Sequence, residues 1–144
     1  MYKKGLIIGR FQPFHQGHLF LVREALKQAE SIIIGIGSTN SKDRKNNPFS
    51  YNQVKNNIQT ILKQEAILGH VIQIFAIPDT PSDKVWLQDI RDRAQKFDVV
   101  ISNNDWVTGI CKHAGFKVIE PLFYKRHIYE GKKIRATMRE KGEL

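Results

Sequence analysis

Short apolar runs alternate with amphipathic segments along the whole of this chain. Runs rich in isoleucine and valine predict five strands, over residues 5–9, 31–36, 71–77, 97–101 and 116–119. Apolar residues at helical spacing predict helices from residue 18 and over residues 51–65, 83–96, 105–113 and 132–141. This alternation predicts an α/β fold, a doubly wound sheet of about five parallel strands with helices on both faces.

Local signals mark the ends of several helices. Ser50 and Gln53 have the spacing of a capping box, which predicts that a helix begins at Tyr51. Gly115 and Gly142 follow two of the predicted helices, where glycine commonly ends a helix. No linker or repeat interrupts the pattern, so we predict a single domain over residues 1–144.

Composition and charge narrow the class of protein. The chain has 144 residues, of which 41% are apolar, and its formal net charge is +9. This charge favours a partner rich in phosphate or carboxylate. The single cysteine excludes an intramolecular disulfide framework and a multi-cysteine zinc site. No apolar run approaches the roughly 20 residues of a spanning helix, so we expect a cytoplasmic protein with no membrane partner.

The loop after the first strand carries the strongest chemical signal. Over residues 9–18 it reads Gly-Arg-Phe-Gln-Pro-Phe-His-Gln-Gly-His. Ligands of doubly wound sheets lie beyond the carboxyl ends of the strands. Gly9 and Gly17 allow close backbone approach, a helix start favours an anion, and Arg10, His15 and His18 add donors for phosphate oxygens. The loop suits a triphosphate, although it matches neither the dinucleotide fingerprint nor the Walker A pattern.

Two other interpretations of the histidines are open. Histidines three residues apart are compatible with part of a metal site, but no cysteine cluster or close carboxylate completes one. They are also compatible with incidental surface positions.

The same loop resembles the HxGH signature of the nucleotidylyltransferase superfamily, and specifically the archaeal-type nicotinamide-nucleotide adenylyltransferase family. Further segments resemble that family in order along the chain, at residues 36–38, 47–50, 102–104 and 121–124. The resemblance implies a Rossmann-like fold and transfer of AMP from ATP to nicotinamide mononucleotide, which yields NAD and pyrophosphate with Mg²⁺. It also implies a homo-oligomer.

The resemblance assigns roles to individual residues. His15, His18 and Arg135 are the expected catalytic residues. The expected ATP-binding residues are Gly9, Arg10, Phe11, Gln12, His15, Gly17, His18, Asn104, Lys132 and Arg135. Ser38 is placed to bond a phosphate or ribose of the mononucleotide. No protein residue is expected to bind a metal, since Mg²⁺ would bridge phosphates.

The sequence leaves open whether Trp86 belongs to the binding site or to the core. Trp86 stands where the mononucleotide pocket is expected, and its indole is suited to stack on a pyridinium ring. Trp86 also lies on one helical stripe with Val85 and Ile90, which is equally compatible with a core position. We assign no role to Trp106 and a place at the rim of the site to the neighbouring Asn104.

The sequence departs from the family pattern at three places. Residues 130–135 read Glu-Gly-Lys-Lys-Ile-Arg, where the family has a serine and a threonine before the arginine. Lys132 and Lys133 are candidates to replace the lost contacts with phosphate. Val54 occupies a position where the family usually has arginine, and Leu144 comes before the C-terminal helix of archaeal members.

These departures leave alternatives for the function. A related enzyme of the superfamily would use another phosphorylated acceptor, such as nicotinate mononucleotide, flavin mononucleotide or phosphopantetheine, or would transfer cytidylate. A protein that binds nucleotide without turnover is a second alternative. A basic nucleic-acid-binding module is a third, but the sequence lacks an RNP motif, a KH loop and a zinc finger, so we expect no nucleic-acid partner.

Overall fold

Five strands alternate with five helices in the computed structural model, which describes residues 1–121 and 131–142. The strands are β1 Tyr2–Gly9, β2 Ala29–Gly37, β3 Val71–Ile77, β4 Val99–Ile101 and β5 Val118–Ile119. The helices are α1 Gln16–Leu26, α2 Tyr51–Gln64, α3 Asp83–Arg93, α4 Asp105–His113 and, after the undescribed segment, α5 Gly131–Glu140. A 3-10 turn at Leu68–His70 precedes β3.

The five strands form one parallel sheet in the order β3-β2-β1-β4-β5. Helices α1 and α2 bury their apolar faces on one side of the sheet, and α3 and α4 bury theirs on the other. This arrangement confirms the predicted doubly wound, Rossmann-like fold. The strand order reverses between β1 and β4, and such a switch point opens a crevice at the carboxyl ends of the two strands.

Several element ends differ from the predicted ones for local reasons. Helix α3 ends at Arg93 and not at residue 96, because Ala94 is extended and the side chain of Gln73 bonds both the Arg93 carbonyl and the Gln95 amide. Helix α1 begins two residues before the predicted start because His15 caps it. Strand β1 is longer than predicted, and β4 and β5 are shorter. The Ser50–Gln53 capping box and the bounds of β3 and α4 are confirmed.

No helix in residues 1–121 and 131–142 combines the length and the apolar composition needed to cross a membrane.

Close packing of the sheet gives a test of the fold at Gly35. A Cβ atom there would lie 2.6 Å from Ile77 Cδ1, whereas a Cβ at Gly109 on α4 would meet nothing within 4 Å. We expect Gly35→Ala to lower the free energy of unfolding by roughly 1–3 kcal/mol through overpacking. Gly109→Ala, the matched control, should raise it by up to about 1 kcal/mol through helix propensity. Urea unfolding of both variants measures the two changes, and equal effects would contradict the packing argument.

Candidate active site

A cleft of about 390 Å³ lies where β1 and β4 end. All ten residues predicted to bind ATP line it: Gly9, Arg10, Phe11, Gln12, His15, Gly17, His18, Asn104, Lys132 and Arg135. The volume is within the range of small-molecule sites. The first loop, the start of α4 and the start of α5 supply these residues, so distant parts of the chain meet at the switch point.

The two histidines of the first loop cap helix α1 through their Nδ1 atoms. His15 Nδ1 accepts a hydrogen bond from the Gly17 amide at 3.1 Å, and His18 Nδ1 accepts one from the His15 amide at 3.1 Å. The two imidazole rings stack with centroids 3.7 Å apart. Because each Nδ1 is an acceptor, the single proton of each neutral ring is on Nε2. The histidines therefore carry N–H donors at the wall of the cleft.

The environment keeps both imidazoles neutral. Burial, and next the charge of Arg135, lower the pKa of His15 to about 4. Burial, and next the neighbouring His15, hold the pKa of His18 well below its ordinary value. Buried imidazole resists protonation because the charged form loses its hydration. At neutral pH both rings are uncharged donors whose tautomer is fixed by the cap of α1.

Arg135 places a buried guanidinium in the cleft. Its residue is 4% exposed, and its Nη1 donates to the Gln12 carbonyl oxygen at 2.7 Å. Burial lowers the pKa of Arg135 first, and the charges of Arg10 and Arg139 lower it further. A side chain at Gly131 would begin 3.0 Å from Arg135 Nη1, so glycine at this position leaves room for the guanidinium.

The charged residues that line the cleft all have the same sign. Arg10, Lys132 and Arg135 line it together with the neutral histidines, and no aspartate or glutamate is among the described lining residues. Several donors and no carboxylate make a site suited to a polyanion.

Phe11 and Gln12 shape the loop as well as lining the cleft. Phe11 is 2% exposed and has a positive φ of 54°, and its ring would lie 2.9 Å from a Cβ at Gly9. Gly9 therefore makes room for this ring. The sequence alone predicts only that Gly9 allows the backbone to approach a ligand closely. The amide group of Gln12 donates to the Phe49 carbonyl at 3.0 Å and accepts from the Phe49 amide at 2.9 Å. These bonds fix the first loop to the segment before α2.

The two residues predicted for the mononucleotide are not among the residues that line the cleft. Ser38 has a positive φ of 55°, and its hydroxyl donates to Asp79 Oδ1 at 2.9 Å, which links the ends of β2 and β3. Trp86 is 5% exposed and packs in the core between the sheet and α3 and α4. This burial favours the core alternative for Trp86 in the present conformation, and the mononucleotide roles of both residues stay predictions.

Three asparagine and serine residues that line the cleft are missing from the sequence prediction of the site. Ser102 and Asn103 directly follow β4, and Asn46 lies in the polar loop after β2. The sequence signal that could identify them as site residues is their position in polar segments that follow predicted strands. Arg139 holds the loop of Asn46 through a hydrogen bond to the Lys45 carbonyl.

Val54 and Glu130 are two positions at which this chain departs from the family pattern. Val54 is 2% exposed in the core, so the position where the family has arginine faces the interior here. Glu130 and the predicted family segment after Pro121 lie outside the described residues.

The described residues include no group of three or more histidine, cysteine, aspartate or glutamate side chains arranged to hold a metal ion. They give no support to the metal-site interpretation of His15 and His18.

Comparison with known proteins identifies the family. The cytidylyltransferase-like family model matches residues 6–137. The chain belongs to this family of nucleotidyltransferases. It is also 33% identical over 141 residues to a nicotinamide-nucleotide adenylyltransferase of Methanothrix thermoacetophila, covering 98% of the chain and 81% of the relative. A protein of the same name from Thermoplasma volcanium is 36% identical over 142 residues, which cover 97% of the chain and 77% of that relative.

Solved structures agree with the family. The chain is similar, with a TM-score of 0.87 and 26% identity, to a bifunctional NMN adenylyltransferase/ADP ribose pyrophosphatase from Francisella tularensis. The match covers 98% of the chain and 43% of that longer protein. A second structure of the Francisella enzyme, complexed with AMP and a Mn ion, matches with a TM-score of 0.83, 27% identity, and coverage of 97% and 42%.

The lowered histidine pKa values predict a dependence of stability on pH. Between the folded pKa of about 4 for His15 and its ordinary value of 6.5, the unfolded chain binds a proton that the folded protein does not. The free energy of unfolding should therefore fall as the pH is lowered from about 7 to about 5. His15→Asn keeps an N-cap acceptor and cannot titrate, so this variant should lose less stability over the same interval.

Urea unfolding at the two pH values measures these losses. His70→Asn, at an exposed histidine on the 3-10 turn, is the matched control and should behave as the unmodified protein. An equal loss in His15→Asn and in the control would contradict the neutral state of His15.

Proposed function

We propose that this protein is a nicotinamide-nucleotide adenylyltransferase, which transfers AMP from ATP to nicotinamide mononucleotide and releases NAD and pyrophosphate. The observation that carries the proposal is the meeting of ten predicted ATP-binding residues in one cationic cleft at the switch point of the sheet. Relatives of the same name support it over almost the whole chain.

The reaction needs a positioned nucleophile more than an activated one. A phosphate oxygen of the mononucleotide attacks the α-phosphorus of ATP in line, and the bond from that phosphorus to the bridging oxygen breaks. The electron pair leaves with pyrophosphate. A phosphate monoester is largely dianionic at neutral pH because its second pKa is about 6, so no general base has to remove a proton. The work of the protein is to orient two anions and to stabilise the charge of the leaving group.

The histidines and Arg135 are the groups that we assign to this stabilisation. Nε2–H donors of His15 and His18 bond phosphate oxygens without adding a titrating charge, because both rings stay neutral well below pH 7. Arg135 is oriented by its bond to the Gln12 carbonyl, and its planar guanidinium provides two parallel donors to phosphate. Arg10 and Lys132 line the same cleft and neutralise the charge of the triphosphate.

Lys132 gives this chain a cation at a position where the resembled family has a hydroxyl residue. A lysine binds phosphate as a point charge and makes fewer directional demands than a hydroxyl. We assign the binding of the terminal phosphates to Lys132, next to Arg135 on the first turns of α5.

The chemistry of the lining residues fits a divalent ion that arrives with ATP. Mg²⁺ prefers oxygen ligands and is commonly held by phosphates and water, and the described lining supplies no carboxylate to compete with them. When bound with the nucleotide, a divalent ion would supply further neutralisation of the phosphate charge. The Mn ion in the Francisella complex supports the use of a divalent metal. The expected partners are ATP, nicotinamide mononucleotide and further copies of the chain, with no nucleic acid.

Product analysis tests the proposed function directly. The purified protein is incubated with ATP, Mg²⁺ and one acceptor at a time, and the products are separated by chromatography. We expect NAD and pyrophosphate from nicotinamide mononucleotide. Product only from nicotinate mononucleotide, flavin mononucleotide or phosphopantetheine would overturn the acceptor and keep the reaction. Nucleotide binding without product from any acceptor would overturn the reaction.

A histidine variant tests the assigned donors. His18→Asn keeps an acceptor for the His15 amide and removes the Nε2–H donor, so we expect kcat to fall by roughly 10²–10³-fold, as for the loss of one preorganised donor. Circular dichroism checks that the fold is intact. His70→Asn is the control and should retain the kcat of the unmodified protein. A kcat in His18→Asn that equals the control would remove the proposed role.

A further inference from the structure

The polar loop after β2, residues 39–47, borders the cleft and has no part in the function proposed above. It is rich in charged and amide side chains, and residues 42–45 are exposed. The loop nevertheless brings Asn46 into the wall of the cleft. An exposed loop keeps a side chain in a binding site only where its backbone is held in place. The contacts that hold the polar loop therefore bear directly on the site.

The two ends of the polar loop are fixed to neighbouring segments. At its start, Asn40 Nδ2 donates to the Asp79 carbonyl at 3.0 Å, and Asn40 Oδ1 accepts from the Asp79 amide at 2.7 Å. Beyond its end, the backbone of Phe49 is bonded in both directions to the side chain of Gln12. These contacts leave the middle of the loop to be held by other residues.

The second half of the polar loop, residues 43–47, forms a compact turn. The Asn47 amide donates to the Asp43 carbonyl at 2.9 Å, and Asn46 Nδ2 donates to Asp43 Oδ2 at 2.7 Å. Because these bonds join its two ends, we expect the turn to move as one unit. It carries Asn46 at the cleft and the buried Asn47, whose Oδ1 accepts from Arg10 Nη1 at 3.5 Å. A displacement of the turn would therefore change the surroundings of a bound triphosphate.

Arg139 on α5 holds this turn. Its Nη2 donates to the Lys45 carbonyl, in the middle of the turn. Arg139 follows Arg135 by four residues, so the two side chains are neighbours on the surface of the helix. Arg135 donates to the carbonyl of Gln12 in the loop after β1. Helix α5 thus holds two loops of the cleft, one through Arg135 in the cleft wall and one through Arg139, which is not a lining residue.

We propose that Arg139 is a positioning residue for the nucleotide, which keeps the turn at residues 43–47 docked on α5 and so keeps Asn46 and Arg10 where a triphosphate would bind. The hydrogen bond has a charged donor, which makes it stronger than a bond between neutral groups. The inference deepens the proposed function and rests on it, because it takes the ligand of the cleft to be ATP. Asn46 and Arg10 would contact the nucleotide before and during the reaction alike. Loss of Arg139 should therefore weaken ATP binding more than it slows turnover.

Kinetics of matched charge variants test this role. Arg139→Gln removes the donor to Lys45, so we expect KM for ATP to rise about fivefold, with little change in kcat. Lys141→Gln, at an exposed residue directly after α5, removes the same charge and should leave KM for ATP close to that of the unmodified protein. Arg139→Lys keeps the charge and a donor and should recover most of the affinity. Equal KM values in Arg139→Gln and Lys141→Gln would overturn the proposal, because only a general effect of charge would remain.

Limited proteolysis tests the same contact without turnover. Three trypsin sites, Lys42, Arg44 and Lys45, lie in the exposed part of the polar loop. Local opening makes such sites cleavable, so trypsin should cut the loop several times faster in Arg139→Gln than in Lys141→Gln. Mass spectrometry locates the cuts, and circular dichroism checks that both variants are folded.

ATP provides the link between the loop and the ligand. ATP with Mg²⁺ should slow cleavage of the polar loop in the unmodified protein, since a bound triphosphate stabilises the closed arrangement. Equal cleavage rates in the two variants, or cleavage that ATP does not slow, would overturn the inference. If the unmodified protein makes no NAD but its loop is protected by ATP and released in Arg139→Gln, the proposed reaction fails and the role of Arg139 in nucleotide binding stands.

Discussion

The hydrogen bonds that cap helix α1 are the constraint on which the site depends. An N-cap is usually serine, threonine, aspartate or asparagine, and here histidine takes that place. His15 and His18 each use Nδ1 to bond a backbone amide. The cap therefore sets the tautomer of both rings and their position at the end of β1. The residues that begin the helix are the same residues to which we assign Nε2–H donors for phosphate, so a change at the start of α1 would also change the proposed site.

Arg135 joins segments of the cleft that lie far apart in the sequence. Its guanidinium reaches across the fold to the carbonyl of Gln12, and Gln12 is bonded through its side chain to Phe49. One buried cation thus joins α5, the loop after β1 and the segment before α2. A buried charge is costly unless it is compensated, and among the described residues the Gln12 carbonyl and the charge of Asp43 oppose that cost. The polyanion proposed as substrate would complete the compensation, which links the assembly of the site to nucleotide binding.

Sequence alone predicts the sheet and the loop after β1 well, and the environments of the two tryptophans poorly. The strands are predictable because they are buried on both faces and read as continuous apolar runs, and the loop after β1 is predictable because its polar residues stand next to one another. The sequence assigns no site role to Ser102 or Asn46, because their place in the cleft depends on the sheet order, which brings the ends of β4 and β2 beside β1. Exposure of Trp106 and burial of Trp86 depend on the packing of α3 against α4, and helical spacing does not determine it.

The cations in and beside the cleft repel one another, and this repulsion bears on how strongly each proposed substrate would stabilise the site. Arg10 and Arg139 both lower the pKa of Arg135, whereas Asp43 is the carboxylate that opposes them. Arg139 and Arg10 also hold the loop that contains Asn46, through the Lys45 carbonyl and through Asn47 Oδ1 at 3.5 Å. A triphosphate would replace mutual repulsion by attraction and would stabilise the folded protein in proportion to its affinity. The mononucleotide carries far less negative charge and a cationic ring, so it benefits less from this cluster. On electrostatic grounds, a triphosphate would therefore contribute more than the mononucleotide to the stability of the folded site.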